Sequence, residues 1–180
     1  MKRTVLVFGL ISGLIVSVLM VAGMSMVYNN PDFKGSMVIG YASMILAFSF
    51  VFVGIKNYRD KYNGGVITFG TAFKTGIFIS LIASTMYVAT WMVDYHFFMP
   101  DFMDRYSAHV LKEAVDSGAT QIEISEKTAE MEKYGEMYKN PLFVIMFTYL
   151  EILPVGILVT VISSIILKRK ENAGTVEIAG

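Results

Sequence analysis

The chain has 180 residues, 54% of them hydrophobic and only 17% charged, with a mean hydropathy of +0.56. A soluble domain usually carries about 25% charge, so these polar residues are too few to cover a globular surface. Fifteen Lys and Arg balance fifteen Asp and Glu, which leaves no electrostatic footprint for nucleic acid. Cysteine is absent, which removes disulfides, thiolate metal sites, iron–sulfur ligation and cysteine nucleophiles.

The apolar residues gather in four blocks rather than spreading over one core. The first runs from about Val5 to Val27, behind Lys2 and Arg3. It is longer than the apolar region of a signal peptide, and Ala22-Gly23-Met24 fits a small-x-small cleavage site poorly. A retained first helix is expected. The second block covers residues 36–55, after an Asn29-Asn30-Pro31-Asp32 turn; the third covers 71–93 and the fourth 142–167. Each is about 20–26 residues long, enough to cross roughly 30 Å of hydrocarbon as a helix. Lipid offers no partner for backbone N–H and C=O groups, so the spans must be helical. The predicted fold is an all-α integral membrane protein, a four-helix bundle, with a small helical extracytoplasmic segment between helices 3 and 4.

Charge sets the predicted orientation. Lys2, Arg3, Lys56, Arg59, Lys61, Lys168, Arg169 and Lys170 crowd one side, and Lys74 can snorkel to it. Lys34, Arg105, Lys112, Lys127, Lys133 and Lys139 spread over a longer stretch on the other. The denser side is expected in the cytoplasm, with both termini. Trp91, Tyr95, Phe97 and Phe98 are placed at the outer interface, Tyr58 and Tyr62 at the inner one.

Residues 94–140 form the predicted outer cap, with ten acids against five bases. Two helices are expected here. The first spans about Asp101 to Asp116 and stops at Ser117-Gly118. The second starts at Ser125 as N-cap and ends before Pro141. Phe102, Tyr106 and Val110 form one stripe, and Met131, Tyr134 and Tyr138 another. Stripes of this kind pack two helices together or rest on the membrane.

Chemistry is sparse. Gly64-Gly65-Val66-Ile67-Thr68-Phe69-Gly70 has the glycine spacing of a phosphate loop, but Thr71-Ala72 stands where Lys-Ser/Thr is needed. A re-entry turn is the better reading. Asp94, His96, Asp101, Asp104, His109 and Glu113 are the nearest thing to a metal set, yet only His109 and Glu113 fall in helical phase. Two ligands do not make a site. No catalytic residue, cofactor or metal is predicted.

Glu151 resists a structural account. It lies about 13 Å below Leu142 along the fourth helix, at a depth where a carboxylate is costly and is expected to face the interior of the bundle. Pro154 follows within a turn, leaves the Leu150 carbonyl without its helical partner and is expected to kink the helix near Glu151. Tyr41, Ser43, Ser84 and Tyr87, with Ser17 and Thr85, are the polar groups expected at that depth. Glu151 and Pro154 are therefore the candidate functional residues. Small residues recur at fourfold spacing: Gly9, Gly13 and Ser17; Ala72, Gly76, Ser80 and Ser84; Gly156, Thr160 and Ser164. Such stripes let helices approach within the monomer, and Gly9-x-x-x-Gly13 could also join two copies.

Three stretches carry a family resemblance. They are Gly54-Ile55-Lys56-Asn57-Tyr58-Arg59 leading into Gly64 to Gly76, then Asn140-Pro141-Leu142 with Glu151-Ile152-Leu153-Pro154-Val155-Gly156, and the Lys168-Arg169-Lys170 end. The chain resembles the four-span family catalogued as domain of unknown function 4199, found mainly in Bacteroidota. The resemblance implies a bacterial inner-membrane protein and supplies no activity. The expected function is a non-enzymatic membrane accessory, scaffold or regulator; the alternative is a small oligomeric transporter or channel using Glu151. The expected partners are the lipid bilayer and another membrane protein or a homo-oligomer.

Overall fold

The computed structural model describes residues 1–29 and 37–169. The Asn30-Pro31-Asp32 part of the first turn, Lys34, Ser36 and Lys170 lie outside the described residues. Six α-helices follow in order: α1 Lys2–Asn29, α2 Met37–Tyr62, α3 Phe69–Val93, α4 Phe102–Asp116, α5 Gln121–Tyr138 and α6 Pro141–Leu167. A π-helical turn, Asp94–Phe98, extends α3. No strand occurs among the described residues, and Ile67 and Arg169 form an isolated antiparallel bridge. Among the described residues, four helical stretches are long and apolar enough to cross a membrane: Lys2–Asn29, Val38–Tyr62, Phe69–Phe98 and Pro141–Leu167.

The helix starts follow local chemistry. Thr68 accepts a hydrogen bond from the Thr71 N–H at the head of α3. Asn140 accepts one from the Leu142 N–H, and Pro141 opens α6, where a missing N–H costs nothing. α5 begins earlier than the Ser125 reading. Thr120 caps it in a reciprocal capping box with Glu123, which satisfies two otherwise unpaired N–H groups. α4 stops as expected, with Ser117 at its end and Gly118 at φ +82.

Among the long helices, α1 packs against α2 and α3, and α6 packs against the same two from the other side. Small residues decide these contacts. A Cβ at Gly9 would stand 2.8 Å from the Cβ of Ile82, and one at Gly13 would stand 3.1 Å from the Ala83 backbone. The Gly9–Gly13 face is thus filled by α3. Gly76 meets Thr160 and Ile55 in the same way, and Gly156 meets Phe48 and Ser80. Polar atoms stitch the apolar contacts: Ser12 donates to the Ala47 carbonyl, and Ser80 bonds both the Gly156 carbonyl and Thr160.

The two ends differ. At the end where α1 begins and α6 finishes, Ile67 N–H donates to the Arg169 carbonyl and Arg169 N–H donates back. At the opposite, distal end, Tyr28 of α1 donates to the Asp101 carboxylate, and Arg105 sits 4.1 Å above the Tyr28 ring. α4 and α5 pack on each other, and α5 rests on α6.

Candidate functional site

Glu151 does not face the interior; it is exposed on the flank of α6. The buried positions of α6 are Val144, Thr148, Ile152, Gly156, Thr160 and Ser164, one every fourth residue, joined near the end of the helix by Ser163 and Leu167. Glu151 stands one residue, about 100°, ahead of Ile152 and misses that phase. Close approach of α3 to Gly156 and Thr160 chose the face, and the carboxylate was left at its edge. α6 remains continuous through Pro154, which is also exposed.

Two tyrosines lie within reach of the Glu151 charge. One is Tyr87, buried on α3 with 7% exposure; the other is Tyr138, at the last turn of α5. Burial, and after it the Glu151 charge, pushes the Tyr138 hydroxyl up to about 12, so it stays a neutral donor. The other expected neighbours behave differently. Tyr41 is exposed, and Ser43 closes on its own helix through the Ile39 carbonyl. Thr85 bonds Tyr149, and Ser17 bonds Thr90. Ser84 is fully buried, and its hydroxyl has no partner.

Above Glu151 an aromatic group closes the distal end. Trp91 and Phe102 meet edge to face at 5.0 Å, Tyr95 packs on both, and Tyr138 joins Tyr95 to Phe147 of α6. Trp91 and Tyr95 were expected as interface anchors. Trp91 is instead 7% exposed inside this group, whereas Phe97 and Phe98 do point outward. The α4 and α5 stripes meet only in part: Phe102 reaches Tyr138 across the two helices, Tyr106 stacks on Phe102 but is exposed, Tyr134 and Tyr138 turn to Phe147 of α6, and Met131 is buried.

Sequence reasoning passed over the burial of Asp94. At 6% exposure it is the one enclosed acid among the described residues, although it stands beside the charged outer segment. The available signal was spacing: Ser84, Tyr87, Trp91 and Asp94 recur at three and four residues and share one face of α3.

Elsewhere the acids are paired or solvated. Among the described residues, salt bridges join Arg59 to Asp60, Arg105 to Asp101 and Lys139 to Glu136. The Tyr28 hydroxyl, then Arg105, hold the Asp101 carboxyl below the usual carboxylate range. No group of three or more His, Cys, Asp or Glu among the described residues is placed to hold a metal. Gly64 and Gly65 take φ of +63 and +80, and Asn63 donates to the Val66 carbonyl, turning the chain toward Ile67 and Arg169.

No curated protein and no solved structure matches the chain. The profile of the family described as "Protein of unknown function (DUF4199)" matches residues 7–169, which takes in the glycine loop, the Glu151–Pro154 segment and Arg169. The chain belongs to that family.

Proposed function

We propose that this is a multi-pass protein of the bacterial inner membrane, a four-helix bundle with both termini in the cytoplasm and residues 94–140 in the periplasm. It acts without catalysis, as an accessory, scaffold or regulator of another membrane protein. The orientation rests on the basic residues at the terminal end: Lys56, Arg59 and Arg169 all lie close enough to Asp60 to act on its charge.

One observation carries the function. Glu151 is exposed on the flank of α6 in the middle of an apolar span. Neighbouring Leu150, Leu158 and Met146 are 64%, 58% and 57% exposed. Lipid cannot satisfy a carboxylate there, and an acid at such a depth costs about 2.5–3.5 kcal/mol on insertion scales. A donor from a second membrane protein, seated against this flank, offsets that cost. The side chain then marks a contact surface.

The test places a photo-crosslinking residue at Leu158 in native membranes, with and without Glu151→Leu. The expected result is a crosslink to one membrane protein that disappears in the variant, while insertion and expression stay unchanged. Crosslinks only between copies of the chain would transfer the reading to a small oligomeric transporter or channel. Crosslinks to lipid alone would overturn both.

A further inference from the structure

The buried stripe on α3 presents polar atoms that have no hydrogen-bond partner among the described residues. Asp94 is 6% exposed, and its Oδ2 is enclosed without a hydrogen-bond partner among the described residues. An unpaired carboxylate is among the least tolerated groups in a protein interior. Its position deepens the problem. Asp94 stands at the carboxyl end of α3, where its own N–H meets the Thr90 and Trp91 carbonyls. That end of a helix carries the negative pole of the peptide dipoles.

The surroundings add to the same sign. Trp91, one turn earlier on this face, packs with Tyr95 and Phe102 at ring separations of 5.0 to 6.3 Å. Aromatic faces attract cations. The described bases at the distal end are engaged or solvated: Arg105 binds Asp101 and the Tyr28 ring, Lys139 binds Glu136, and Lys112, Lys127 and Lys133 are exposed. Carboxylate, helix end and aromatic rings all call for positive charge.

Ser84 gives a second, independent sign. Thr75, Thr85, Thr90, Thr148 and Ser164 each donate to the carbonyl four residues earlier. Ser84 does not, and its enclosed Oγ has no other partner among the described residues. It lies on the same face as Asp94, about 15 Å deeper.

We propose that this face of α3 binds a monovalent cation, anchored by the Asp94 carboxylate beside Trp91, with Ser84 the second unpartnered oxygen on the same face. The single carboxylate sets the valence, because calcium sites gather six to eight oxygens from several acids. The aromatic wall favours a weakly hydrated ion, potassium or a small alkylammonium. The site stands independently of docking at Glu151.

Trp91, the only tryptophan in the chain, reports on the site directly. The full-length protein in a neutral maltoside detergent is titrated with potassium, sodium or tetramethylammonium chloride, with N-methylglucamine chloride holding ionic strength constant. The expected result is a saturable change in Trp91 fluorescence and a rise in unfolding temperature with one of these cations. Asp94→Asn weakens the apparent affinity at least tenfold. Ser84→Ala, which removes only an unpaired hydroxyl and folds as the parent does, weakens it less. Should Asp94→Asn fail to fold, Asp94→Glu serves, with a shifted preference among the cations as the expected result. No saturable change with any cation overturns the proposal, as does an unaltered titration in the Asp94 variants. A titration that appears only in Lys34→Gln also overturns it, since the lysine ammonium then fills the site.

Discussion

Ile67 and Arg169 exchange two backbone hydrogen bonds, of 2.9 and 2.8 Å, and so tie the loop after α2 to the residue beyond α6. Ile67 is 2% exposed beneath the bridge, and Arg59 reinforces it by donating to the Leu167 carbonyl at 3.3 Å. The glycine-rich stretch is therefore a latch between the second and last long helices. Gly64 and Gly65 serve it by turning the backbone through left-handed conformations that other residues resist.

Replacing either glycine tests the latch. Gly65→Val forces a β-branched residue to φ +80 and should cost about 1–2 kcal/mol. Thermal unfolding in detergent should show the loss, and Ile67 and Arg169 amides should exchange with solvent faster. Unchanged exchange at both amides would refute the latch.

Helix packing gives a paired prediction. Gly76→Ala puts a methyl 2.7 Å from the Thr160 side chain and 2.9 Å from Ile55, whereas Gly40→Ala meets nothing within 4 Å. Overpacking at the first position should cost about 1–3 kcal/mol. The second should gain up to roughly 1 kcal/mol from better helix propensity. Unfolding by a denaturing detergent ranks the two, and equal stabilities would mean that α3 does not approach α2 and α6 this closely.

The buried hydroxyls on α3 should also part company. Ser80→Ala removes bonds to the Gly156 carbonyl and Thr160 and should cost about 1 kcal/mol. Ser84→Ala removes an enclosed hydroxyl with no partner, so in the absence of bound cation its stability should equal or exceed that of the parent. The same unfolding assay decides between them.

Acid should loosen the distal clasp. Tyr28 and Arg105 hold the Asp101 carboxyl below its ordinary value, so the charged form is favoured in the folded protein. Stabilisation from this carboxylate is complete above the ordinary Asp pKa of about 3.9. It fades as pH falls through the lower folded value. Asp101→Asn should therefore remove that part of the acid sensitivity. Thermal unfolding in detergent should show the variant losing stability less steeply than the parent as pH falls below that value.

Much of the architecture was legible in the amino acids. Four apolar blocks, their flanking charges and the Ser117-Gly118 stop are local properties, since length and composition alone decide whether a segment can be a long apolar helix. The α5 start was misread because Thr120 and Glu123 act as a reciprocal pair, and Ser125 looks as good a cap when residues are taken singly.

Only the tertiary structure decided which face of each long helix turns inward. A helix that is apolar all round offers little contrast between faces, and on α6 the sequence left two competing signs of the inside, Glu151 and the Gly156, Thr160 and Ser164 stripe. Close contact at Gly156 and Thr160 decided for the stripe and left the acid on the flank. The same packing drew Trp91 and Asp94 inward at the distal end. Hydropathy acts residue by residue and sets the number of helices and their ends. Steric fit acts between helices, and it set the faces on which the polar atoms now stand.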